Sequence, residues 1–253
     1  MEKLKGKRAL VTGGGQGLGE AIVRRLLEAG VDVAIHYHTS AVGAVALKEH
    51  AAKLGCRAEV FQADLTDGKA AAEMVSAAVK FLGGLDVLIN NAGDLVQRRL
   101  VGDVDAAFWE RTMAVNVTSM LWVTRAAVPA LAKAGQGSIV NLSSLAGRKG
   151  GHTGSLVYST AKGAVLTWTR ALATELASKG IRVNAVAPGF ILGTRFHATH
   201  TTDESAKKTI EGIPLGRAGT PDDVARAVVY LASEFDGFIT GATLDINGGV
   251  YAA

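Results

Sequence analysis

A tyrosine and a lysine, Tyr158 and Lys162, stand four residues apart where the apolar spacing predicts a helix over residues 155–178. Positions i and i+4 share one face of a helix, so the phenol and the ammonium can meet there. A free tyrosine has a pKa of about 10, and a nearby ammonium favours the phenolate and lowers that pKa. Such a pair can act as a general acid/base. The same spacing also arises when an aromatic anchor stands beside a solvated lysine, so the rest of the chain must decide.

A glycine cluster over residues 13–19 lies between a predicted strand, 8–12, and a predicted amphipathic helix, 20–29. At such a junction, backbone N–H groups and the positive end of a helix bind a pyrophosphate, and glycines allow close approach. The spacing is Thr12-Gly13-x-x-x-Gly17-x-Gly19, which differs from G-x-G-x-x-G. A glycine cluster alone could be a flexible turn, but its position predicts a dinucleotide-binding turn.

The cofactor preference is read at the end of the second predicted strand, where an acid would accept a hydrogen bond from the ribose of NAD and repel the 2′-phosphate of NADP. This strand ends in His36-Tyr-His-Thr-Ser40 and carries no acid there. We therefore favour NADP(H), with NAD(H) as the alternative, because no arginine stands at this tip and Gln16 occupies a place where a cation would strengthen the preference. We expect one of His36 and His38 to point into the core and the other outward.

Strands and helices alternate along the chain. Strands are predicted over residues 8–12, 31–37, 58–63, 85–90, 137–143, 181–187 and 243–246, and helices over 20–29, 40–54, 67–82, 105–133, 155–178 and from 220 onward. This alternation predicts an α/β fold, a Rossmann-like doubly wound parallel sheet of about seven strands with helices on both faces, in one domain over residues 1–253. Residues 192–213 are polar and poorly periodic, so we interpret them as an excursion that shapes the substrate site.

Composition excludes several classes of protein. The chain has 253 residues, 48% hydrophobic and 20% charged, with 27 Lys and Arg against 23 Asp and Glu. This mild positive charge suits an anionic small ligand. The chain has no dense basic run of the kind that favours binding to nucleic acid. The single cysteine, Cys56, excludes an internal disulfide and fits a reducing compartment. The sequence has no uncharged apolar run of about 18 residues, the length that a membrane span needs, and no cluster with metal-ligand spacing. We therefore expect a soluble cytoplasmic protein without a metal. His197 and His200 are interpreted as loop polar residues.

The order of the motifs resembles the short-chain dehydrogenase/reductase family over essentially the whole chain. The matching pieces are Thr12-Gly-Gly-Gly-Gln-Gly-Leu-Gly19, Asp64-Leu65, Asn90-Asn-Ala-Gly93, Asn116 within Val-Asn-Val, Ser143-Ser144, Tyr158-x-x-x-Lys162, Pro188-Gly189, and the C-terminal Ile239-Thr-Gly241 and Asp245-Ile-Asn-Gly-Gly249. One such piece matches easily by chance, but all of them in order form a specific match.

The resemblance implies a catalytic group of four residues. Tyr158 would exchange a proton with the substrate oxygen, and Lys162 would lower the pKa of the phenol and hydrogen-bond the nicotinamide ribose. Ser144, rather than Ser143, would hold the substrate oxygen. Asn116 would hold a water that passes protons to Lys162; the alternative is that it only bends or caps the helix.

The resemblance also implies a set of residues around the cofactor, with Asp64 meeting the adenine and Thr194 meeting the carboxamide. The loop before Thr194 is one residue longer than expected, which leaves its register open. The full set is Gly13, Gly15, Gln16, Gly17, Leu18, Gly19, His38, Thr39, Ser40, Asp64, Leu65, Asn91, Ala92, Gly93, Tyr158, Lys162, Pro188, Gly189, Ile191 and Thr194.

The reaction implied is interconversion of a carbonyl and a secondary alcohol, with a 3-oxoacyl thioester as the default substrate. A sugar or polyol dehydrogenase and a pteridine-type reductase are the alternatives, and a cofactor-binding regulator without turnover is the non-enzyme alternative. Arg148, Lys149 and His152 either attract an anionic substrate or face solvent. A homotetramer is implied, and the apolar residues that either meet a partner subunit or pack in the core are Trp109, Trp122, Leu156, Val165 and Trp168.

Overall fold

Seven parallel strands form one sheet within residues 4–194, 202–233 and 237–252, the parts of the chain that this computed structural model describes. The strands are β1 (Arg8–Val11), β2 (Asp32–Tyr37), β3 (Ala58–Gln62), β4 (Val87–Asn90), β5 (Gly137–Leu142), β6 (Ile181–Pro188) and β7 (Thr243–Ile246). Their order across the sheet is β3-β2-β1-β4-β5-β6-β7. The sheet grows outward from β1 in one direction through β2 and β3, and from β4 in the other direction through β7, so the strand order reverses between β1 and β4. Ligands bind at such a switch point, outside the carboxyl ends of the strands.

Helices cover both faces of the sheet. They are α1 (Gly17–Glu28), α2 (Ala41–Lys53), α3 (Gly68–Leu82), α4 (Ala106–Met113), α5 (Ser119–Lys133), α6 (Leu145–Lys149), α7 (Leu156–Leu176), α8 (Asp203–Glu211) and α9 (Pro221–Ala232), with short 3₁₀ turns at Val101–Asp103 and Ala177–Lys179. One apolar cluster joins the sheet to α1, α2 and α9, and a second joins it to α3, α5 and α7. Neighbouring strand residues point to opposite clusters: Ala9 and Val11 belong to the first, and Leu10 to the second. The predicted fold class is confirmed.

The predicted helix over residues 105–133 is interrupted before its proline. It consists of α4, a π-helical turn at Ala114–Thr118 and α5, which continues through Pro129 to Lys133. Pro129 therefore does not end the helix. The irregularity lies instead at the π-helical turn, which contains Asn116, and such turns are frequent at functional sites.

The excursion over residues 192–213 contains a helix that the sequence analysis did not predict. Thr202 accepts a hydrogen bond from the backbone N–H of Ser205, and Asp203 and Glu204 occupy the first turn of α8, where acids are favoured. The nine residues of α8 were too few for a clear apolar period. Residues 195–201, with His197 and His200, lie outside the described residues.

Two searches of the described residues gave negative results. None of the helices is long and apolar enough to cross a membrane. No group of three or more His, Cys, Asp or Glu residues in the same part of the chain could hold a metal ion.

Candidate active site

A cavity of about 1400 Å³ lies along the carboxyl ends of the strands. Its wall contains every residue predicted for the cofactor and the chemistry except Asn116: Gly13, Gly15, Gln16, Gly17, Leu18, Gly19, His38, Thr39, Ser40, Asp64, Leu65, Asn91, Ala92, Gly93, Ser144, Tyr158, Lys162, Pro188, Gly189, Ile191 and Thr194. The fold brings them together because parallel strands end at one edge of the sheet. Its size suits a dinucleotide together with a substrate.

The glycine turn offers uncapped N–H groups to this cavity. Gln16, the N-cap of α1, forms no side-chain cap to the first turn, and its amide oxygen instead accepts from Ser40 Oγ at 2.7 Å. Gly17 has a φ of +55°, which favours glycine, and a Cβ at Gly19 would overlap the carbonyl oxygen of Gly13. Free N–H groups at the positive end of a helix, in a cradle that side chains would fill, fit a pyrophosphate.

Thr12 and Asn91 hold this turn in place. Thr12 Oγ1 accepts from the backbone N–H groups of Asn91 and Ala92, each at 3.0 Å. Asn91 Nδ2 donates to the carbonyl oxygens of Thr12 at 2.9 Å and Gly13 at 3.1 Å. The side chain of Asn91 therefore ties the end of β4 to the end of β1, while the residue still lines the cavity.

The two histidines at the end of β2 differ in burial as expected, but strand alternation is not the reason, because residues two apart in a strand share a face and His38 lies beyond the last residue of β2. His36 is buried, its Nδ1 accepts from the N–H of Gly13 at 3.1 Å, and its Nε2 lies 3.1 Å from the carbonyl oxygen of Ala63. Burial lowers the pKa of His36 to about 4, so the ring is neutral. His38 is exposed and lines the cavity. Asp64 is the acid nearest to it in the wall, and hydrogen bonds from Thr66 hold the pKa of Asp64 below its usual value.

Tyr158 forms a side-chain hydrogen bond with Ser144. Ser144 is the N-cap of α6, and its Oγ accepts from the N–H of Ala146 at 3.1 Å. Burial raises the pKa of Tyr158 to about 12, the hydrogen bond with Ser144 opposes that rise, and the charge of Asp94 adds to it. The pKa of the phenol is therefore raised above its usual value rather than lowered as the resemblance implied, because burial outweighs the hydrogen bond that opposes it.

Lys162 is buried beside the tyrosine ring. Its ammonium donates to the carbonyl oxygen of Leu142 at 2.9 Å and lies 5.8 Å from the centroid of the Tyr158 ring. Burial lowers the pKa of Lys162 to about 8, and the charge of Asp94 works in the other direction. The hydroxyl of Ser143 is directed at the backbone and not at the Tyr158 phenol, since its Oγ donates to the carbonyl oxygen of Lys162 at 2.8 Å. The backbone of α7 and the end of β5 are thus joined at this point.

Asn116 lies behind the cavity wall rather than in it. Its Nδ2 donates to the carbonyl oxygens of Asp94 at 2.7 Å and Thr112 at 2.9 Å, and its Oδ1 accepts from the N–H of Asp94 at 3.1 Å. A Cβ at Gly93 would lie 2.7 Å from Asn116 Oδ1 and 2.9 Å from Lys162 Nζ. Both amide protons of Asn116 are occupied, so the side chain positions the segment that carries Gly93 and Asp94.

Asp94 is a site residue that the sequence analysis missed. It lines the cavity, and its charge acts on both Tyr158 and Lys162. Its position could have indicated this, because Asp94 follows Gly93 just beyond the carboxyl end of β4.

Arg148 is turned away from the site, so the interpretation that it attracts an anionic substrate is wrong. Its guanidinium donates to both carboxylate oxygens of Asp245, at 3.0 and 3.1 Å, and to the carbonyl oxygen of Thr243 at 3.3 Å. Lys149 and His152, by contrast, line the cavity. The pairing joins residues 97 positions apart, which no local pattern reveals.

The five apolar residues weighed for a subunit interface divide into two groups. Val165 is buried, and Trp122 and Trp168 pack against an apolar core cluster, so these three belong to the core. Trp109 and Leu156 are 40% and 51% exposed.

Comparison with known proteins places this geometry in a family. Residues 13–251 match the family described as enoyl-(acyl carrier protein) reductase. The chain is 39% identical to nodulation protein G of Azospirillum brasilense, over 96% of this chain and 98% of that protein. It is 37% identical to the 3-oxoacyl-[acyl-carrier-protein] reductase of Staphylococcus aureus, over 97% and 98%.

Solved structures resemble the described fold equally well. An NADH-dependent reductase responsible for alginate metabolism has a TM-score of 0.91 at 34% identity and covers all of both chains. A short-chain dehydrogenase from Burkholderia cenocepacia in complex with NADP has a TM-score of 0.91 at 35% identity, over 99% of this chain and 100% of that one. The chain therefore belongs to the short-chain dehydrogenase/reductase family, as an oxidoreductase that uses a nicotinamide cofactor to interconvert a carbonyl and a secondary alcohol.

Proposed function

We propose that the protein reduces the ketone of a 3-oxoacyl thioester with NADPH, using Tyr158 as the proton donor. The observation that supports this most strongly is the hydrogen bond between Ser144 and Tyr158 in the cavity that also contains the glycine turn. A phenol whose pKa is raised to about 12 stays protonated at neutral pH, which suits a group that must give a proton to a carbonyl oxygen.

Each side chain at the site has a separate role in the proposed reduction. When bound, the reduced nicotinamide supplies the hydride. Ser144 holds the carbonyl oxygen by a hydrogen bond, Tyr158 donates its proton to the same oxygen, and the hydrogen bond with Ser144 stabilises the phenolate that results. In the reverse direction the phenolate takes the proton of the alcohol. Asn116 acts indirectly, by holding the backbone of Asp94 next to this group.

The cofactor residues are proposed from their places along the wall. The N–H groups of the glycine turn would hold the pyrophosphate, Asp64 and Leu65 the adenine, and Tyr158 and Lys162 the nicotinamide ribose. The end of β6 and the loop after it would hold the nicotinamide. That group is Pro188, Gly189, Ile191 and Thr194. Thr194 lies 3.7 Å from the position of a Cβ at Gly17, so this loop lies next to the glycine turn.

We favour NADP(H) over NAD(H) because His38, Thr39 and Ser40 line the cavity where an acid would repel a 2′-phosphate. The solved relative from Burkholderia cenocepacia was obtained with NADP, which supports this choice, whereas the relative of alginate metabolism is NADH-dependent. Replacing His38 with Asp should therefore lower the affinity for NADPH by at least about tenfold and leave that for NADH less affected. Equal losses for both cofactors would contradict the assignment.

A 3-oxoacyl thioester is favoured by the activity of the Staphylococcus aureus relative, which matches nearly the whole chain. Reduction of a carbonyl on a sugar-derived compound is a second candidate, favoured by the solved relative of alginate metabolism. The two are separated by measuring NADPH oxidation with acetoacetyl thioesters and with keto sugars. Turnover of thioesters supports the first candidate, turnover of keto sugars alone supports the second, and cofactor binding without turnover on either would overturn the enzymatic proposal.

We also propose one cofactor-binding domain over residues 1–253, with the substrate excursion at 192–213, acting in the cytoplasm as a homotetramer. The exposed Trp109 and Leu156 support an interface, since α4 and α7 pack against each other and present both. Light scattering on a size-exclusion column tests the assembly, and a monomeric mass would contradict it.

A further inference from the structure

Two loops beside the catalytic tyrosine join to form one wall of the cavity. They comprise residues 94–99, after β4, and residues 149–154, which begin at the last residue of α6. The N–H of Arg99 donates to the carbonyl oxygen of Gly154 at 2.9 Å, and Arg98 Nη1 donates to the carbonyl oxygen of Thr153 at 3.3 Å. Gly154 has a φ of +79°, and a Cβ on it would lie 3.0 Å from Arg98 Cβ. Glycine therefore allows the close approach of the two loops.

The first loop contains a strained turn. Val96 has a φ of +64°, the one positive value among the non-glycine residues that the structure describes, and the N–H of Gln97 donates to the carbonyl oxygen of Leu95 at 2.8 Å. This three-residue turn is rare, and it is unfavourable for a β-branched side chain. Buried Leu95 and the backbone bonds from Asn116 to Asp94 hold it in place. Strain that the surroundings maintain in this way is concentrated at ligand sites.

The basic side chains of this wall fall into two groups. Arg99 is paired with Asp105, and Arg148, just before the second loop, with Asp245. Arg98 and Lys149 are exposed, line the cavity, and form no ion pair within the described residues.

Other charged groups in the wall leave this end of the cavity positive. Lys208 of α8 also lines the cavity and adds a further cation. Asp64 and Asp94 are the acids in the described wall. Asp64 is held by Thr66 near His38, at the other end, and Asp94 acts on Tyr158 and Lys162. Arg98 and Lys149 thus remain as two cations without acidic partners in the described part of the chain, on the two loops that lie next to Asp94 and Ser144.

We infer that Arg98 and Lys149 form a subsite for an anionic group on the substrate, a carboxylate or a phosphate set apart from the reacting carbonyl. This inference rests on the proposed function, because it assigns the substrate class of the same cavity. A guanidinium and an ammonium on one wall can hold such oxygens by charge-assisted hydrogen bonds. The phosphates of the cofactor do not account for them, since the glycine turn and residues 38–40 line a different part of the cavity.

The test compares substrates that differ only in the anion. One pair is 4-oxopentanoate and its methyl ester, and the other is acetoacetyl-pantetheine 4′-phosphate and acetoacetyl-pantetheine. In wild type at low salt, kcat/KM for the anionic member of at least one pair should exceed that of the neutral member by about tenfold or more. The pair that shows the preference tells a carboxylate from a phosphate. Ratios near one for both pairs would overturn the inference and leave the reductase proposal standing.

Variants assign the preference to this wall. Combining Arg98→Met with Lys149→Met should bring the ratio to within about threefold of one, because both cations are lost while the length of the side chains is kept. The control combines Lys53→Met with Lys69→Met, which removes two exposed cations that do not line the cavity, and it should keep the wild-type ratio. A preference that survives in the first double variant, or that the control abolishes equally, contradicts the assignment.

A binding measurement decides the inference without turnover. Protein saturated with NADP⁺ is titrated calorimetrically with 4-oxopentanoate and with pantetheine 4′-phosphate. At least one of these should bind the Arg98→Met, Lys149→Met variant about tenfold more weakly than wild type and bind the control unchanged. Equal affinities of wild type and this variant for both probes would overturn the subsite. Absence of turnover with all four substrates would instead overturn the proposed reaction.

Discussion

Replacing Lys162 with Met tests whether the ammonium is held in an environment that disfavours its charge. Burial lowers the pKa of Lys162 from 10.5 to about 8. At 1.36 kcal/mol for each pKa unit, the folded protein carries a penalty of about 3 kcal/mol for keeping this lysine protonated below pH 8. Methionine has similar length and no charge, so the variant lacks the penalty at every pH, while the lost hydrogen bond to Leu142 contributes a constant offset.

The sign follows from which state binds more protons. Below about pH 8 the lysine is protonated in both the folded and the unfolded chain, and the full penalty is present. Between about pH 8 and 10.5 the unfolded chain binds the additional proton, so the free energy of unfolding of wild type rises with pH relative to the variant. From pH 7 to pH 9.5 the gain amounts to about 2 kcal/mol.

The assay is a series of thermal melts of both proteins without cofactor. The difference in Tm, wild type minus Lys162→Met, should increase by about 4–8 °C between pH 7 and 9.5, since 1 kcal/mol corresponds to about 2–4 °C at this chain length. Lys69→Met serves as the control, because the side chain of Lys69 is 85% exposed, and its difference should stay constant. If the Tm of wild type minus that of Lys162→Met stays constant or decreases over this range, the burial of the charge is refuted.

Three further predictions concern residues at or next to the cavity. Ser144→Ala should reduce kcat by about 100-fold and move the pH profile of alcohol oxidation to higher pH, because the hydrogen bond from Ser144 lowers the pKa of the phenol; an unshifted profile would contradict this. Gly93→Ala should reduce kcat by at least about tenfold with an unchanged circular dichroism spectrum, since the new Cβ would lie 2.7 Å from Asn116 Oδ1 and 2.9 Å from Lys162 Nζ; wild-type turnover would show that the two side chains can yield. His38→Asp should weaken NADPH binding more than NADH binding, as fluorescence titration would measure.

The regular part of the fold was predictable because its signals are local. Apolar runs in strands and amphipathic helices recur along the chain, and glycines mark the turns between them. The opposite directions of Ala9 and Leu10 follow from the two-residue period of a strand. The gathering of strand-end residues around one cavity was predictable because parallel strands end at the same edge of the sheet.

The features that sequence reasoning missed depend on contacts between distant segments. The bond from Arg148 to Asp245 turned a candidate substrate contact into a structural one. The π-helical turn gave Asn116 partners in Thr112 and Asp94 and kept it out of the cavity wall. The pKa of Tyr158 rose because burial by the surrounding fold outweighed the hydrogen bond from Ser144, and only coordinates reveal how closely a phenol is enclosed.

The central proposal is that Tyr158 transfers the proton while the cofactor delivers the hydride. Its most direct test is a stopped-flow comparison of wild type and Tyr158→Phe, each mixed with saturating NADPH and an acetoacetyl thioester, with oxidation of the nicotinamide followed by absorbance. The rate of the variant should fall by about 100-fold to 10,000-fold, while its affinity for NADPH stays within about threefold of wild type. A Tyr158→Phe protein that oxidises NADPH at the wild-type rate would contradict the mechanism.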